Sequence, residues 1–131
     1  MADYILMLED DSDDRYFTES TLEELQLNVP IKFSLFSNEL LNKIIVDPPS
    51  MIILGYNTYP VTGVEILKKV KSDSRLSYIP VVILSEDISI DKVREYYKSG
   101  ANSVIKKPST VSDTHTKIKT FFNYWMNVAE L

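Results

Sequence analysis

Five short apolar segments alternate with stretches of helical periodicity, and this alternation limits the folds that the chain can adopt. The segments are YILML (4–8), IKFSLF (31–36), MIIL (51–54), VVIL (81–84) and SVI (103–105). The first, third and fourth are continuously apolar, as in strands that are buried on both faces. The second alternates apolar and polar residues, which is typical of a half-exposed edge strand.

The stretches between these segments repeat apolar residues at helical spacing and predict five helices. We place them over residues 13–27, 39–46, 64–71, 91–99 and 113–130. Asp13 or Asp14 is expected to cap the first helix, and Asn38 the second. Gly100 is expected to end the fourth helix, because glycine accepts the left-handed conformation that follows many helices.

Aromatic residues in the first and last helices predict which faces cover the sheet. In the first helix, Tyr16, Phe17 and Leu22 are available to the core. The last helix has a stripe that comprises Ile118, Phe121 or Phe122, and Trp125. The remaining apolar residues, Tyr124, Met126 and Val128, cannot all face the core as well. They suit an interface, and the alternative is that they fold back over neighbouring side chains, as scattered exposed apolar residues do.

A β-α unit repeated five times predicts an α/β fold with a parallel sheet, right-handed crossovers and helices on both faces. The 131 residues suit one domain, over residues 1–131. The net charge of -5 argues against a nucleic-acid or anionic-membrane partner. The absence of Cys excludes disulfides and thiolate metal sites. Without a signal peptide or a run of transmembrane length, we expect a cytoplasmic protein with no membrane association.

Ligands of such sheets bind at the carboxyl ends of the strands, so the loops that follow the strands are the candidate sites. Four of them carry EDDSDD (9–14), GYNTYPVTG (55–63), SED (85–87) and KKP (106–108). Glu9 and Asp10 would repel each other unless a hard cation such as Mg²⁺ lay between them. The alternative is that the acids of this segment only cap the helix. Ser85 and Lys107 together suit an anionic oxygen, although each could equally be a plain surface residue.

These segments resemble the receiver domain of two-component response regulators over nearly the whole chain. The resemblance rests on ILMLEDDSDDR (5–15), MIILGYNTYPVTGVEILKKVK (51–71), IPVVILSE (79–86) and GANSVIKKP (100–108). It implies a flavodoxin-like doubly wound fold with strand order 2-1-3-4-5. It also implies an acid pair that binds Mg²⁺, a central Asp that accepts phosphate from a histidine kinase, and a hydroxyl and a lysine that sense the phosphoryl group.

The resemblance assigns a role to each candidate residue. Glu9 and Asp10 match the acid pair, Asn57 matches the position whose backbone carbonyl completes the metal shell, Ser85 matches the hydroxyl switch, and Lys107 matches the lysine that precedes a cis-proline, here Pro108. The phosphoacceptor position falls on Gly55, which lies 30 positions before Ser85 and 52 before Lys107. Residues 48–64 contain no Asp or Glu, so no shift of register supplies an acceptor.

Three further positions depart from the family pattern. Tyr59 stands where a proline is usual, Thr62 where an acid precedes Gly63, and Val104 where an aromatic switch residue is common. Because the metal would also lose its central ligand, we expect weak Mg²⁺ binding at best.

The leading hypothesis is a phosphorylation-incompetent receiver that acts by protein–protein interaction, and not an enzyme. A small phosphohydrolase would need a base or nucleophile at the centre, and the only histidine, His115, lies in the last helix. An alternative is a receiver switched by Mg²⁺ or by an anionic ligand in a vacant pocket beside Gly55. A third hypothesis is that the acceptor was mutated in an otherwise active regulator. The departures at Tyr59, Thr62 and Val104 disfavour this hypothesis.

The expected partners are signalling proteins, such as a histidine kinase, or a second copy of the chain. In the family, the face of the fourth helix, fifth strand and fifth helix makes dimers and output contacts. Here that face would include Lys92, Tyr96, Tyr97 and Val104 together with the last helix.

Overall fold

Strands and helices alternate along the computed structural model, which describes residues 4–26, 28, 30–55, 58 and 61–131. The elements are β1 (Ile5–Leu8), α1 (Ser12–Glu24), β2 (Ile31–Ser34), α2 (Asn38–Val46), β3 (Met51–Leu54), α3 (Gly63–Ser72), β4 (Val81–Ser85), α4 (Ile90–Lys98), β5 (Ser103–Lys106) and α5 (Val111–Asn123), followed by a π-helical turn (Tyr124–Val128). No helix in the described ranges has the length and apolar character needed to cross a membrane.

The strands form one parallel sheet in the order β2-β1-β3-β4-β5, as predicted for a flavodoxin-like doubly wound fold. Leu8, the last residue of β1, pairs with Leu54, the last residue of β3. The backbone N–H of Gly55 donates to the carbonyl oxygen of Leu8 at 2.8 Å, which ties the two strand ends together. The strand order reverses between β1 and β3, so these two ends lie at the topological switch point.

Two hydrophobic clusters cover the two faces of the sheet because successive strand residues point to opposite sides. Leu6, Leu8, Ile52 and Leu54 face a cluster with α2, α3 and α4. Ile5, Met7, Met51 and Ile53 face a second cluster that includes Leu22 of α1 and Phe122 of α5. All residues of β1 and β3 are buried, which confirms the prediction from their continuous apolar sequences.

The predicted helix caps are wrong by one to three positions. Asp11, rather than Asp13 or Asp14, caps α1, and its carboxylate accepts from both of their backbone N–H groups, at 2.8 and 3.0 Å. Ser37, rather than Asn38, caps α2, and its hydroxyl oxygen accepts from the N–H of Leu40. Both capping residues have extended backbones that precede the first helical residue, as an N-cap requires.

The inner face of α1 differs from the predicted one. Tyr16 and Phe17 are 68% and 53% exposed, so they do not join the core. Thr21 and Leu22 are buried, and the helical period extends this inner face back to Thr18 and Asp14, which are half-buried. The Asp14 carboxylate therefore lies on the inner face of α1, where the sequence pattern favoured aromatic rings. Its partner, Lys107, belongs to the site described below.

The last helix is shorter than predicted. α5 ends at Asn123 instead of continuing to residue 130, and the π-helical turn closes with a bond from the Ala129 N–H to the Tyr124 carbonyl at 2.7 Å. The predicted stripe is confirmed, since Phe122 is buried and Ile118, Phe121 and Trp125 pack against the same cluster. The apolar residues off the stripe are exposed, as expected: Tyr124, Met126 and Val128.

Candidate functional site

Four candidate residues lie at one edge of the sheet, where the carboxyl ends of the parallel strands meet. Glu9 follows β1, Gly55 follows β3, Ser85 ends β4 and Lys107 follows β5. The Lys107 N–H donates to the Ser85 carbonyl oxygen at 2.9 Å, which connects the last two strand ends as Gly55 and Leu8 connect the first two. The sequence-predicted loops therefore converge, as the strand-end rule requires.

The side chain of Glu9 lies against Gly55. Both residues are buried, and Glu9 has no exposed surface. A Cβ atom built at Gly55 would lie 2.6 Å from Glu9 Oε1, 2.8 Å from Glu9 Cδ and 2.9 Å from Glu9 Cβ. Contacts this short are not compatible with the present Glu9 side chain. Glu9 thus occupies the space that any side chain at position 55 would need.

The Glu9 conformation is supported by the first turn of α1. Its Oε2 accepts from the backbone N–H of Asp11 at 3.1 Å. Its backbone carbonyl oxygen accepts from Arg15 Nε at 2.6 Å, a bond strengthened by the charge of the guanidinium. The bonds at both ends of the residue fix the loop between β1 and α1 and direct the carboxylate toward β3.

Glu9 and Asp10, the predicted acid pair, lie in different environments. The carboxylate of Glu9 is directed at Gly55, whereas Asp10 is exposed. Within the described ranges, no group of three or more His, Cys, Asp or Glu side chains is placed to hold a metal ion. Asn57, the predicted carbonyl ligand, and Tyr59, one of the departures, lie outside the described residues.

Ser85 is buried, and its hydroxyl is engaged in the turn between β4 and α4. Its Oγ donates to the backbone carbonyl of Asp87 at 2.9 Å. The carboxylate of Asp87 in turn accepts from the Ser89 N–H at 2.9 Å, and hydrogen bonds from Ser89 hold the pKa of Asp87 below its ordinary value. The hydroxyl proton of Ser85 is therefore directed into its own loop.

The ammonium group of Lys107 lies among carboxylates that the sequence analysis did not assign to it. Nζ is 3.4 Å from Asp14 Oδ1 and 3.3 Å from Glu86 Oε1. Burial lowers the pKa of Lys107, but the opposite charges of Asp14 and Glu86 outweigh burial and hold this pKa above its ordinary value. Both acids lie in the strand-end segments EDDSDD and SED, so opposite charge at one sheet edge was the signal that could have identified them. Pro108 follows and is half-buried.

Val104 and the predicted interaction face lie at the β5 edge. Val104 is half-buried against the hydrophobic core, and its N–H donates to the Tyr97 hydroxyl at 3.2 Å. Tyr97 is 49% exposed, whereas Tyr96 is buried, with the Lys92 ammonium 5.2 Å from the centre of its ring. The same region exposes Ile90, at 63%, so an apolar surface accompanies α4.

Comparisons with known proteins agree on one family. A family model described as the response regulator receiver domain matches residues 5–119. "Two-component response regulator ORR5" of Oryza sativa subsp. japonica is 34% identical over 114 residues, which cover 86% of this chain and 83% of that protein. "Probable methanogenesis regulatory protein FilR2" of Methanothrix harundinacea is 33% identical over 78 residues, which cover 60% of this chain and 50% of that protein.

Solved structures give the same result for the fold. A response regulator from Hahella chejuensis superposes with a TM-score of 0.85 at 26% identity, with 99% of both chains covered. The similarity to that regulator thus extends over nearly the whole chain.

Proposed function

The chain belongs to the response regulator receiver domain family, and on that premise we propose that it is a two-component signalling receiver that cannot accept phosphate at the usual site. In this proposal the chain is a pseudo-receiver, meaning a receiver without a phosphoacceptor, and it acts through protein–protein contacts. It has no enzymatic activity of its own.

One observation carries this proposal, which is the glycine at the end of β3. Gly55 directly follows Leu54, at the switch point between β1 and β3. An acyl phosphate forms on a carboxylate oxygen, and glycine offers none. The three atoms nearest to a side chain at this position all belong to Glu9, whose carboxylate is fully buried.

The proposal includes weak or absent Mg²⁺ binding. Receivers of this family hold the ion with an acid pair and the acceptor carboxylate. Here the acceptor carboxylate is missing and Glu9 faces inward, so Asp10 is left as an exposed acid. A single carboxylate with water ligands binds Mg²⁺ weakly, because this cation keeps its hydration shell unless several anionic oxygens replace it.

The alternative, a switch driven by Mg²⁺ or an anionic ligand beside Gly55, has less support. The space next to Gly55 holds the Glu9 side chain, and a carboxylate disfavours a second negative charge at close distance. Lys107, the cation expected to receive the anion, already lies beside Asp14 and Glu86.

The proposed partners are signalling proteins, including a histidine kinase or a second copy of the chain. The surface that supports this proposal is the α4–β5–α5 face, where Ile90 and Tyr97 are exposed, together with Tyr124 and Val128 after α5. Exposed aromatic and aliphatic side chains of this kind are enriched at interfaces.

Phosphotransfer is tested by incubating the purified chain with acetyl phosphate and Mg²⁺ and measuring the intact mass. We expect no addition of a phosphoryl group, whereas a receiver with an intact acceptor, treated in parallel, gains one. A covalent phosphate on any residue of this chain would contradict the proposal. Isothermal titration with Mg²⁺ alone is expected to give no saturable heat at millimolar concentrations.

The interaction surface is tested by sedimentation of the unmodified chain and two variants. Tyr97→Glu places a charge on the proposed face, and Tyr78→Glu, at a residue that is 67% exposed in the loop before β4, is the matched control. We expect self-association that Tyr97→Glu weakens and Tyr78→Glu preserves. Equal behaviour of both variants would exclude this face as the dimer surface.

A further inference from the structure

We infer that the Glu9 side chain is an internal substitute for the missing acceptor side chain, and that it occupies the space which a side chain at position 55 would need. The inference rests on the proposed function and deepens it, because it names the residue that controls the acceptor site. In this role Glu9 fills space beside Gly55, whereas an acid of a metal-binding pair would bind Mg²⁺. The loop that follows β1, rather than the one that follows β3, then supplies the carboxylate at the centre of the site.

The contacts of Gly55 show that Glu9 is the obstacle. The three atoms nearest to a Cβ built at Gly55 all belong to the Glu9 side chain: Oε1, Cδ and Cβ. Two of them lie in the outer part of the side chain and one at its root, so a change of rotamer alone does not clear the space. Removal of the whole Glu9 side chain removes all three of these contacts.

The backbone of Gly55 offers no resistance of its own. Gly100 is the one glycine with a positive φ among the described residues, so Gly55 has a conformation that residues with a Cβ adopt readily. The closest obstacle to a side chain at position 55 is therefore steric, and the three nearest atoms all belong to one residue, Glu9. This differs from the usual reason for a buried glycine at a strand end, which is a left-handed turn.

The burial of Glu9 contributes to the packing of this edge of the sheet. Its side chain fills a space at the sheet edge that would otherwise be empty, and an unfilled space of this size destabilises a protein. The Asp11 N–H and the Arg15 contact hold the residue in place. Glu9 and Gly55 are thus complementary in volume across neighbouring strands.

A double-mutant cycle with Gly55→Ala and Glu9→Gly tests this relationship by thermal unfolding. In the unmodified background, Gly55→Ala forces a Cβ into the Glu9 side chain, and we expect the Tm to fall by about 5–10 °C, as for overpacking in a domain of this size. In the Glu9→Gly background, the same change fills vacated space, and we expect no decrease or a small increase. This non-additivity is the signature of direct contact.

Two controls keep the cycle interpretable. Gly63→Ala places its Cβ at 3.7 Å from the Tyr96 ring, an ordinary contact, so it should cost little and show no coupling to Glu9. If Glu9→Gly folds poorly, Glu9→Ala removes Oε1 and Cδ but keeps Cβ, and it should relieve the effect of Gly55→Ala only in part. Equal Tm changes for Gly55→Ala with and without the Glu9 side chain would overturn the inference.

The two proposals fail separately. Phosphorylation of the unmodified chain by acetyl phosphate would overturn the proposed function. The double-mutant cycle would still measure the coupling between positions 9 and 55. Absence of coupling would remove the role of Glu9, whereas the lack of an acceptor at Gly55 would remain.

Discussion

The Lys107 ammonium lies 3.4 Å from the Asp14 carboxylate and so joins the loop after β5 to the first turn of α1. In the family, the corresponding lysine serves the phosphoryl group. Here it bridges two segments of the chain through Asp14 and Glu86. The relationship indicates a stabilising role for Lys107 that does not depend on phosphate.

Replacing Lys107 by Met should therefore destabilise the protein, because Asp14 and Glu86 would lose their common counter-charge. The lysine side chain is 35% exposed, so solvent screening limits the expected loss to about 0.5–1 kcal/mol. Urea unfolding followed by circular dichroism measures it. Lys119→Met, on the exposed side of α5, is the control and should be close to neutral.

The effect of Lys107→Met should decrease at alkaline pH. The folded-state pKa of Lys107 is raised by its acidic neighbours, so its stabilising effect is fully present below the unfolded-state pKa of about 10.4. The contribution of Lys107 to the unfolding free energy is lost as the pH rises through its higher folded-state pKa. The difference in unfolding free energy between the two proteins, measured from pH 7 to pH 11, should be constant at first and then shrink. A difference that grows with pH would contradict this assignment.

Gly100 and Gly63 should respond oppositely to alanine. Gly100 ends α4 with a φ of 109°, and a Cβ there would lie 2.7 Å from Lys71 Cγ. Gly100→Ala should therefore cost about 1–2 kcal/mol. Gly63 begins α3 in open surroundings, and Gly63→Ala should be neutral or stabilise by up to about 0.5–1 kcal/mol. Thermal unfolding of both variants distinguishes them, and an equal loss would refute the strain at Gly100.

Thr62, one of the departures from the family pattern, caps α3. Its hydroxyl oxygen accepts from the Glu65 N–H at 3.2 Å, and the Glu65 carboxylate accepts from the Thr62 N–H at 3.4 Å, which together form a capping box. Thr62→Ala should lower the unfolding free energy by about 1 kcal/mol. Thr62→Ser keeps the hydroxyl and should retain most of the stability. Comparable losses in both would show that the hydroxyl does not act as a cap.

Much of the fold could be predicted from the sequence because its determinants are local. Continuous apolar segments and helical spacing gave the element order, and a parallel sheet places all strand ends at one edge. At this edge lie four of the predicted site residues, as expected: Glu9, Gly55, Ser85 and Lys107. Helix boundaries were less accurate, since the capping residue depends on the backbone conformation of the preceding loop, as Asp11 and Ser37 illustrate.

The remaining features depend on side-chain packing that the sequence pattern does not encode. The exposure of Tyr16 and Phe17 follows from Asp14 turning inward toward Lys107, an interaction between segments that are far apart in the chain. The position of Glu9 follows from the close approach of β1 and β3 beside a residue without a side chain. From the sequence, Gly55 could be matched to the acceptor position of the family, but the residue that fills the space beside it could not be predicted.

The close packing of Glu9 against Gly55 also has a consequence for any attempt to introduce an acceptor into this protein. Restoring an acid at position 55 first creates a clash, and removing Glu9 first creates a hole, so either single step passes through a less stable protein. A stable chain with an acid at position 55 is therefore expected to need a second change that moves or shortens the Glu9 side chain.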